Sequence, residues 1–449
     1  MHPTAIAVDP GARYTRIAHL APDGTPVLAD LPGTVPGEGL PTSASAGGHH
    51  GAALRSAYAV YRERHGTPDQ VVVVVPQHDR AAHARRATDV LTALHGTEPL
   101  PRLRALGTPH AVLALLRHAG AATGPLYTVC DLGATAAEVS RCALAPGAVA
   151  VTGSARHAPV DGFGAGFDTT LLSAVGLPDD EDGRTALAAA RAEDGADRRL
   201  DLTLARSAQH PGRYDERMVW QAAGRDITVG ALRPALDRLT TGLDSVLDAL
   251  GSLDTPPGER PDPLVVAVGG AARLGPLVRH LTGRQGQLLA LPGDVDPALA
   301  PAFGAALVAA RRIDPADRYP YAVLVGTHRT VDGVPRAEAL LISPAGALEP
   351  GGATVFAHSD GRPVRIRTRP IGTSAGRPVH IHVRASRGGH PVQVGTLTIP
   401  AAAEGTRFHV GVRLAVDGEA LLVLNPLGSG TPGEYPLGAL PTDIEGARS

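Results

Sequence analysis

The run Val71-Val72-Val73-Val74-Val75, closed by Pro76, constrains this chain more than any other segment. Five successive β-branched side chains leave no polar face to turn toward water, so the segment suits a strand covered on both sides, as in parallel α/β layers. Helix periodicity flanks it, at residues 52–64 before and at 81–94 and 109–119 after. The chain opens with a short apolar strand, 5–8, that runs into Asp9-Pro10-Gly11-Ala12; alternation resumes at 15–20. That pattern predicts a β-hairpin with an acid and a glycine at its bend. A second hairpin repeats the theme: a strand at 127–132, the bend Gly133-Ala134-Thr135-Ala136 and a return strand at 137–144. An amphipathic helix is predicted over 229–250, and a strand at 264–268 ends in Gly269-Gly270-Ala271-Ala272-Arg273 before a further helix. Alternating strands and helices predict an α/β architecture to about residue 313.

Beyond that point the character changes. Residues 314–320 read as a linker, and 321–428 read as short strands punctuated by Gly, Pro and Asp, at 339–342, 353–357, 364–369, 379–383, 393–399, 408–416 and 420–424. Val416-Asp417-Gly418-Glu419 joins the last two as a hairpin, and the set predicts an all-β sandwich. The tail, 429–449, is rich in Pro and Gly and is expected to fray.

With 449 residues the chain is too long for one ordinary core, and at 43% apolar it has material for two or three. A net charge of −2 argues against nucleic acid and against a basic membrane face as partners. All 42 basic residues are arginine, which excludes a Schiff base, a P-loop lysine and a lysine general base. Cys130 and Cys142 flank the second bend and read as two ordinary buried thiols, not a disulfide scaffold. The start of the chain has no basic stretch leading into an apolar run, and no segment approaches ~18 uninterrupted apolar residues. A soluble, cytoplasmic protein is expected.

Two acid-tipped hairpins followed by a Gly-Gly turn before a helix suggest a phosphate cradle between two lobes. Backbone N–H groups of tight glycine turns point at phosphate oxygens, and carboxylates at strand ends hold Mg²⁺, mostly through water. The run from Asp131 to Ser140, Asp-Leu-Gly-Ala-Thr-Ala-Ala-Glu-Val-Ser, is similar without a gap to the second phosphate motif of the DnaK-type (heat-shock-seventy) chaperones. Ala7-Val8-Asp9-Pro10-Gly11 resembles their first phosphate motif, and Val268-Gly269-Gly270-Ala271-Ala272-Arg273-Leu274 their adenosine motif. Asp296-Pro297 through Phe303-Gly304-Ala305-Ala306 resembles the segment that follows, and Gly162-Phe163-Gly164-Ala165-Gly166-Phe167-Asp168 sits where the family has a phosphate-side loop. Leu341-Ile342 through Val355-Phe356, Val364-Arg365-Ile366 and residues 412–424 resemble the family's peptide-binding β-domain.

The resemblance implies a two-lobed, actin-like nucleotide-binding domain over 1–313, a linker at 314–320, a β-sandwich peptide-binding domain at 321–428 and a tail at 429–449. ATP or ADP would be bound by Asp9, Gly11, Asp131, Gly133, Glu138, Gly164, Gly269, Gly270 and Arg273, the arginine lying against adenine. Asp9, Asp131 and Glu138 would hold Mg²⁺, mostly through water, and Phe356, Val364 and Ile366 would line a groove for an extended client peptide. A client protein or peptide and a J-domain co-chaperone are the partners the resemblance implies.

The departures bear on activity. Ala12 and Arg13 stand where the family has hydroxyl residues, and Ala134, Thr135 and Ala136 replace a glycine pair and threonine. A methyl where a glycine stood hinders close approach of backbone to phosphate. Thr108-Pro109 replaces a Glu-Pro step, the catalytic lysine is missing, and the shortened stretch before the valine strand indicates that one small subdomain is largely deleted. Weak nucleotide binding and slow or absent hydrolysis are expected, because hydrolysis depends on positioning water and neutralising the γ-phosphate. Arg13 either supplies charge near the phosphates or is a solvated surface arginine. The helical lid of the family has no counterpart, so rapid peptide exchange is expected.

The alternatives are a non-catalytic scaffold or adaptor that no longer responds to nucleotide, a small-molecule kinase on the same fold, and a filament-forming actin relative. Such kinases need a carboxylate base beside the acceptor and rarely append a β-sandwich, and a filament has no need of a second domain. Gly162-x-Gly164-x-Gly166 lacks the spacing and position of a dinucleotide-binding turn. His49-His50 and His380-x-His382 are compatible with metal; the second pair points to one face of a strand and reads as solvent-exposed strand histidines.

Overall fold

The computed structural model describes residues 4–42, 50–145, 148–193, 195–210, 212–251, 262–359, 361–367, 377–384, 390–399, 406–428 and 430–441. These group into two compact units: residues 1–78, 106–144 and 153–314 form unit 1, and 79–105, 145–152 and 315–449 form unit 2.

Unit 1 is mixed α/β. Its first sheet contains the order β3-β2-β1-β5, with β4 off β2; the strands are β1 (Ala5–Pro10), β2 (Tyr14–Leu20), β3 (Pro26–Leu28), β4 (Leu40–Pro41) and β5 (Gln70–Val75), while β6 (Arg102–Gly107) belongs to unit 1 only in Leu106 and Gly107. The opening hairpin is antiparallel and β1 lies parallel to β5, the valine strand, whose five valines are all buried. The second sheet runs β12-β7-β8-β9, built from β7 (Leu126–Leu132), β8 (Ala137–Ala145), β9 (Ala148–His157) and β12 (Leu264–Val268). Here too an antiparallel hairpin, β7–β8, adjoins a parallel strand, β12. Cys130 and Cys142 lie on β7 and β8, free and buried, and burial pushes both thiols up, so neither offers a ready thiolate. A small hairpin, β10 (Met218–Ala222) and β11 (Arg225–Thr228), turns through Ala223 and Gly224, both at positive φ.

The helices are α1 (His50–His65), α2 (Arg80–His95), α3 (Thr108–His118), α4 (Gly164–Ala174), α5 (Glu181–Ala192), α6 (Ala196–Gln209), α7 (Val229–Gly251), α8 (Gly275–Gln285) and α9 (Ala300–Ala309). Nearly every residue of α9 is buried, as an apolar helix without a polar face must be. It packs on β1, β2 and β5 and crosses α3 so closely that a Cβ on Gly304 would lie 1.9 Å from the Ala111 carbonyl oxygen. Small side chains make this crossing possible, and it anchors the strand that carries Asp9. The second sheet has its own core, in which Leu132, Phe167, Trp220, Leu239 and Leu277 are buried together.

Unit 2 contains two antiparallel sheets over one core. One runs β14-β13-β19-β20, from β13 (Ala322–Val331), β14 (Val334–Ser343), β19 (Arg377–Arg384) and β20 (Val392–Ile399). The other runs β15-β21-β22-β23 with β18 also on β21, from β15 (Val355–Phe356), β18 (Arg365–Arg367), β21 (Arg407–Leu414), β22 (Glu419–Pro426) and β23 (Gly433–Ala439). A short pair, β16 (His358–Ser359) and β17 (Arg362–Pro363), stands apart. The strand expected at 364–369 reaches 367; residues 368 and 369 lie outside the described ones.

One expectation is corrected. The tail does not fray from residue 429: β23 pairs with β22, Tyr435 and Leu437 pack on the core, and Arg413 holds Glu434 through two hydrogen bonds of 2.9 and 2.7 Å. Residues 442–449 lie outside the described ones. The segment expected as a linker, 314–320, carries no helix or strand, and the boundary between the units falls in it, between 314 and 315. The Asp317 side chain is fully buried and accepts hydrogen bonds from Arg80, at 3.0 Å, and from Arg104. Arg85 of α2 reaches Asp417 at 3.1 Å, so the segment 79–105 groups with the β-sheets although it precedes them by more than 200 residues.

Two stability outcomes follow from these contacts. Gly304→Ala drives a methyl into backbone and is expected to cost about 1–3 kcal/mol, read as earlier urea unfolding by the fluorescence of Trp220, the only tryptophan. Asp317→Ala leaves two guanidinium groups without their carboxylate and is expected to cost about 3–5 kcal/mol, read as faster amide exchange in β13 and β21.

Candidate functional site

A cavity of 570 Å³ in unit 1 is lined from both sheets. Hairpin β1–β2 delivers Asp9, Gly11, Arg13 and Arg16; hairpin β7–β8 delivers Asp131, the bend 133–136 and Glu138; the turn after β12 delivers Gly269, Gly270 and Arg273. All nine residues expected to bind nucleotide, Asp9, Gly11, Asp131, Gly133, Glu138, Gly164, Gly269, Gly270 and Arg273, line this one cavity.

Hairpin register explains how the acids gather. Asp9 pairs with Arg16 across β1–β2, and Asp131 pairs with Glu138 across β7–β8. Asp131 also neighbours Val268 on the parallel strand, so the tips of β7, β8 and β12 end at one level. Gly269 sits at φ 88, where a Cβ would meet the Leu132 carbonyl oxygen at 2.6 Å and Asp131 Oδ1 at 2.8 Å. Only glycine lets this turn close against the acid. The bend 133–136 is tied to the start of α4: the Gly164 and Ala165 N–H groups donate to the carbonyls of Gly133 and Ala134 at 3.2 and 2.9 Å.

The three acids differ in state. Burial pushes Asp131 up to about 7, with the negative charges of Glu138 and Asp9 adding to the rise. Thr108, standing in the place of the expected glutamate, lowers it by hydrogen bonding. Asp9 is also raised by burial, against the pull of Arg16, whose guanidinium is 3.6 Å away. Glu138 is raised by burial as well, while accepting the His78 N–H at 2.7 Å and the Ser154 hydroxyl at 3.4 Å. Glu138 thus ties the end of β5 to β8. Among the described residues no group of three His, Cys, Asp or Glu stands close enough to hold a metal ion.

Sequence reasoning missed most of the ionic structure. Arg16 bridges Asp9 and Glu38, each at 3.6 Å; Arg273 joins Glu38 and also donates to Asp296, with contacts of 2.8 to 3.0 Å. The chain Asp9–Arg16–Glu38–Arg273–Asp296 thereby runs along one wall. On the other, buried Asp168 accepts from both Arg13 and Arg191, and the Arg191 guanidinium lies 5.5 Å from the Phe167 ring centroid and 5.9 Å from that of Trp220. Arg13 lines the cavity, partly buried, and is paired to Asp168. Counting across the first bend would have placed Arg16 opposite Asp9, and Asp180, which caps α5 by accepting the Gly183 N–H at 2.9 Å, marks the helix that carries Arg191. Glu38 lies in a loop with no periodic signal.

The residues expected to hold peptide lie in unit 2. Val364 and Ile366 are half-buried against its core, and the Phe356 ring stands edge-on to His409, 6.4 Å between centroids. His380 Nδ1 lies 3.1 Å from the Thr396 hydroxyl and 3.2 Å from Gln393 Nε2; His49 is outside the described residues. Among the described residues no helix is long and apolar enough to cross a membrane.

Because the Asp131 carboxyl is raised above its unfolded value, its native-state advantage holds at low pH and is lost as pH rises from about 4 through 7. Asp131→Asn is expected to raise the thermal midpoint, with a gain larger at pH 8 than at pH 5. A gain that is equal at both values, followed through Trp220, would contradict a carboxyl titrating near neutrality.

No protein-family model matches the sequence, and no curated protein matches it.

Proposed function

We propose that unit 1 is an actin-like nucleotide-binding domain that takes ATP or ADP with Mg²⁺, in the manner of the heat-shock-seventy chaperones, and that the β-domain holds a client peptide. One observation carries this reading: nine residues chosen from motifs as far apart as Asp9 and Arg273 line a single cavity. Two sheets, each with an antiparallel hairpin beside a parallel strand, support it, because that arrangement aims two hairpin bends into one cleft.

The residues have divisible tasks. Glu38 and Asp296 engage the edge of the Arg273 guanidinium, and a guanidinium held by its edge keeps a planar face for stacking on a base. Asp9 and Asp131 would hold Mg²⁺ through its waters, with Glu138 behind them. Mg²⁺ supplies charge neutralisation to the phosphates when bound. Binding it would favour loss of the Asp131 proton, so nucleotide affinity should strengthen as pH rises through 7. Turnover is slow or absent in this reading, since no lysine meets the γ-phosphate and Ala134 and Ala136 put methyls on the bend. Half-exposed Val364 and Ile366 are the apolar contacts that the β-domain would offer a client.

A second reading, a scaffold without nucleotide control, draws on the ion pairs themselves: Arg13, Arg16, Arg191 and Arg273 are already satisfied by carboxylates, and a phosphate must compete with them. Calorimetric titration with Mg·ATP and Mg·ADP separates the two. Micromolar binding, weakened at least ~10-fold by Arg273→Ala or Asp131→Ala, supports the nucleotide reading. At a hundredfold excess over Kd, nucleotide should add about 2.7 kcal/mol of stability. No heat and no thermal stabilisation at millimolar nucleotide would leave the scaffold.

A further inference from the structure

We infer that Arg156 is the terminal-phosphate contact of this cavity, the group that distinguishes a triphosphate from shorter ligands; the inference rests on the nucleotide reading and names the residue that reads phosphate number. Five arginines line the cavity: Arg13, Arg16, Arg156, Arg191 and Arg273. Four are held by carboxylates within it, Arg13 and Arg191 by Asp168, Arg16 by Asp9 and Glu38, and Arg273 by Glu38 and Asp296. Among the described residues Arg156 has no ion-pair or hydrogen-bond partner. It is exposed, yet close enough to Glu138 for its positive charge to pull that carboxyl down against burial. A cation that lines a cavity and is not neutralised by the protein has its donors free for an anion.

Its position on the sheet matches that task. Side chains two apart on a strand share a face, so Arg156 projects on the same side of β9 as Ser154. Ser154 reaches Glu138 at 3.4 Å and Ser140 at 3.1 Å, which fixes that side as the one facing the hairpin acid. In the order β12-β7-β8-β9, the turn bearing Arg273 follows one outer strand and Arg156 ends the other. Three strand spacings separate them, roughly 14 Å, with Asp131 and Glu138 on the two strands between. A free phosphate or a bare nucleoside cannot touch both ends. A nucleoside polyphosphate can, with its base toward Arg273, its metal near the acids and its last phosphate toward Arg156.

Arg156 thereby brings to the cavity, from β9, a positive charge in a chain without lysine. A guanidinium binds a terminal phosphate through two parallel N–H donors, and no proton transfer is required of it.

The test compares wild type, Arg156→Gln and Arg156→Lys in calorimetric titrations with adenosine, ADP, ATP and inorganic tripolyphosphate, all with Mg²⁺. Expected is a loss of ~10-fold or more in affinity for ATP and tripolyphosphate in Arg156→Gln, with adenosine affinity unchanged and ADP affected less. Partial recovery is expected in Arg156→Lys. Unchanged adenosine affinity and Trp220 emission show that the variant is folded. ATP affinity equal in wild type and Arg156→Gln would overturn the inference while leaving the nucleotide reading intact. Arg156-dependent binding of tripolyphosphate by a protein that ignores adenosine and ATP would keep the anion contact and sink the nucleotide reading. Failure of wild type to bind any of the four would remove both.

Discussion

Carboxylates cannot be collected at the floor of a cleft unless something absorbs their mutual repulsion and the cost of their burial. Each of the three hairpin acids has a different answer. Asp9 has Arg16 across its own hairpin, Glu138 has a backbone N–H and a hydroxyl, and Asp131 is held near neutrality by its surroundings. The geometry of both sheets is subordinate to this. The register of each hairpin sets which residue faces which acid, and the turn at Gly269 closes against Asp131 because it carries no side chain.

The absence of lysine gives the polar architecture its form. A lysine is a mobile point charge, whereas arginine is a planar fork that can hold two carboxylates at once. The cavity walls use that property repeatedly: Arg16 and Arg273 each join two acids, and Asp168 in turn joins two arginines. The same chemistry recurs in unit 2, where Asp317 gathers Arg80 and Arg104. Such chains spread charge over several residues, so removing one member alters the environment of the next.

Much of the scaffold was legible because burial imprints itself on composition. The valine strand, both hairpins, the helix α7 and the Gly-Gly turn all announced themselves through apolar runs or turn residues. The expected nucleotide residues were found by motif and converge on one cavity. What escaped notice had no such imprint. Strand β14 extends to Val334 because its outer half is exposed on both faces and so shows no alternation. The hairpin β10–β11 turns on Ala223-Gly224 where an Asn-Gly would have signalled it. Glu38 and Arg156 are ordinary charged residues in sequence, and their importance is a matter of what lies opposite them in space.

The crossing of α3 and α9 at Gly304 has a mechanical meaning. Backbone meets backbone there with no side chain between, so sliding either helix by one residue would set a methyl against a carbonyl. The contact behaves as a keyed joint: the helices can be locked or separated, but they have no intermediate stops. The sheet that α9 covers is fastened to the same joint, and with it the strand that carries Asp9. Shear within this layer is blocked at that joint, so packing fixes where Asp9 stands in the cavity lining.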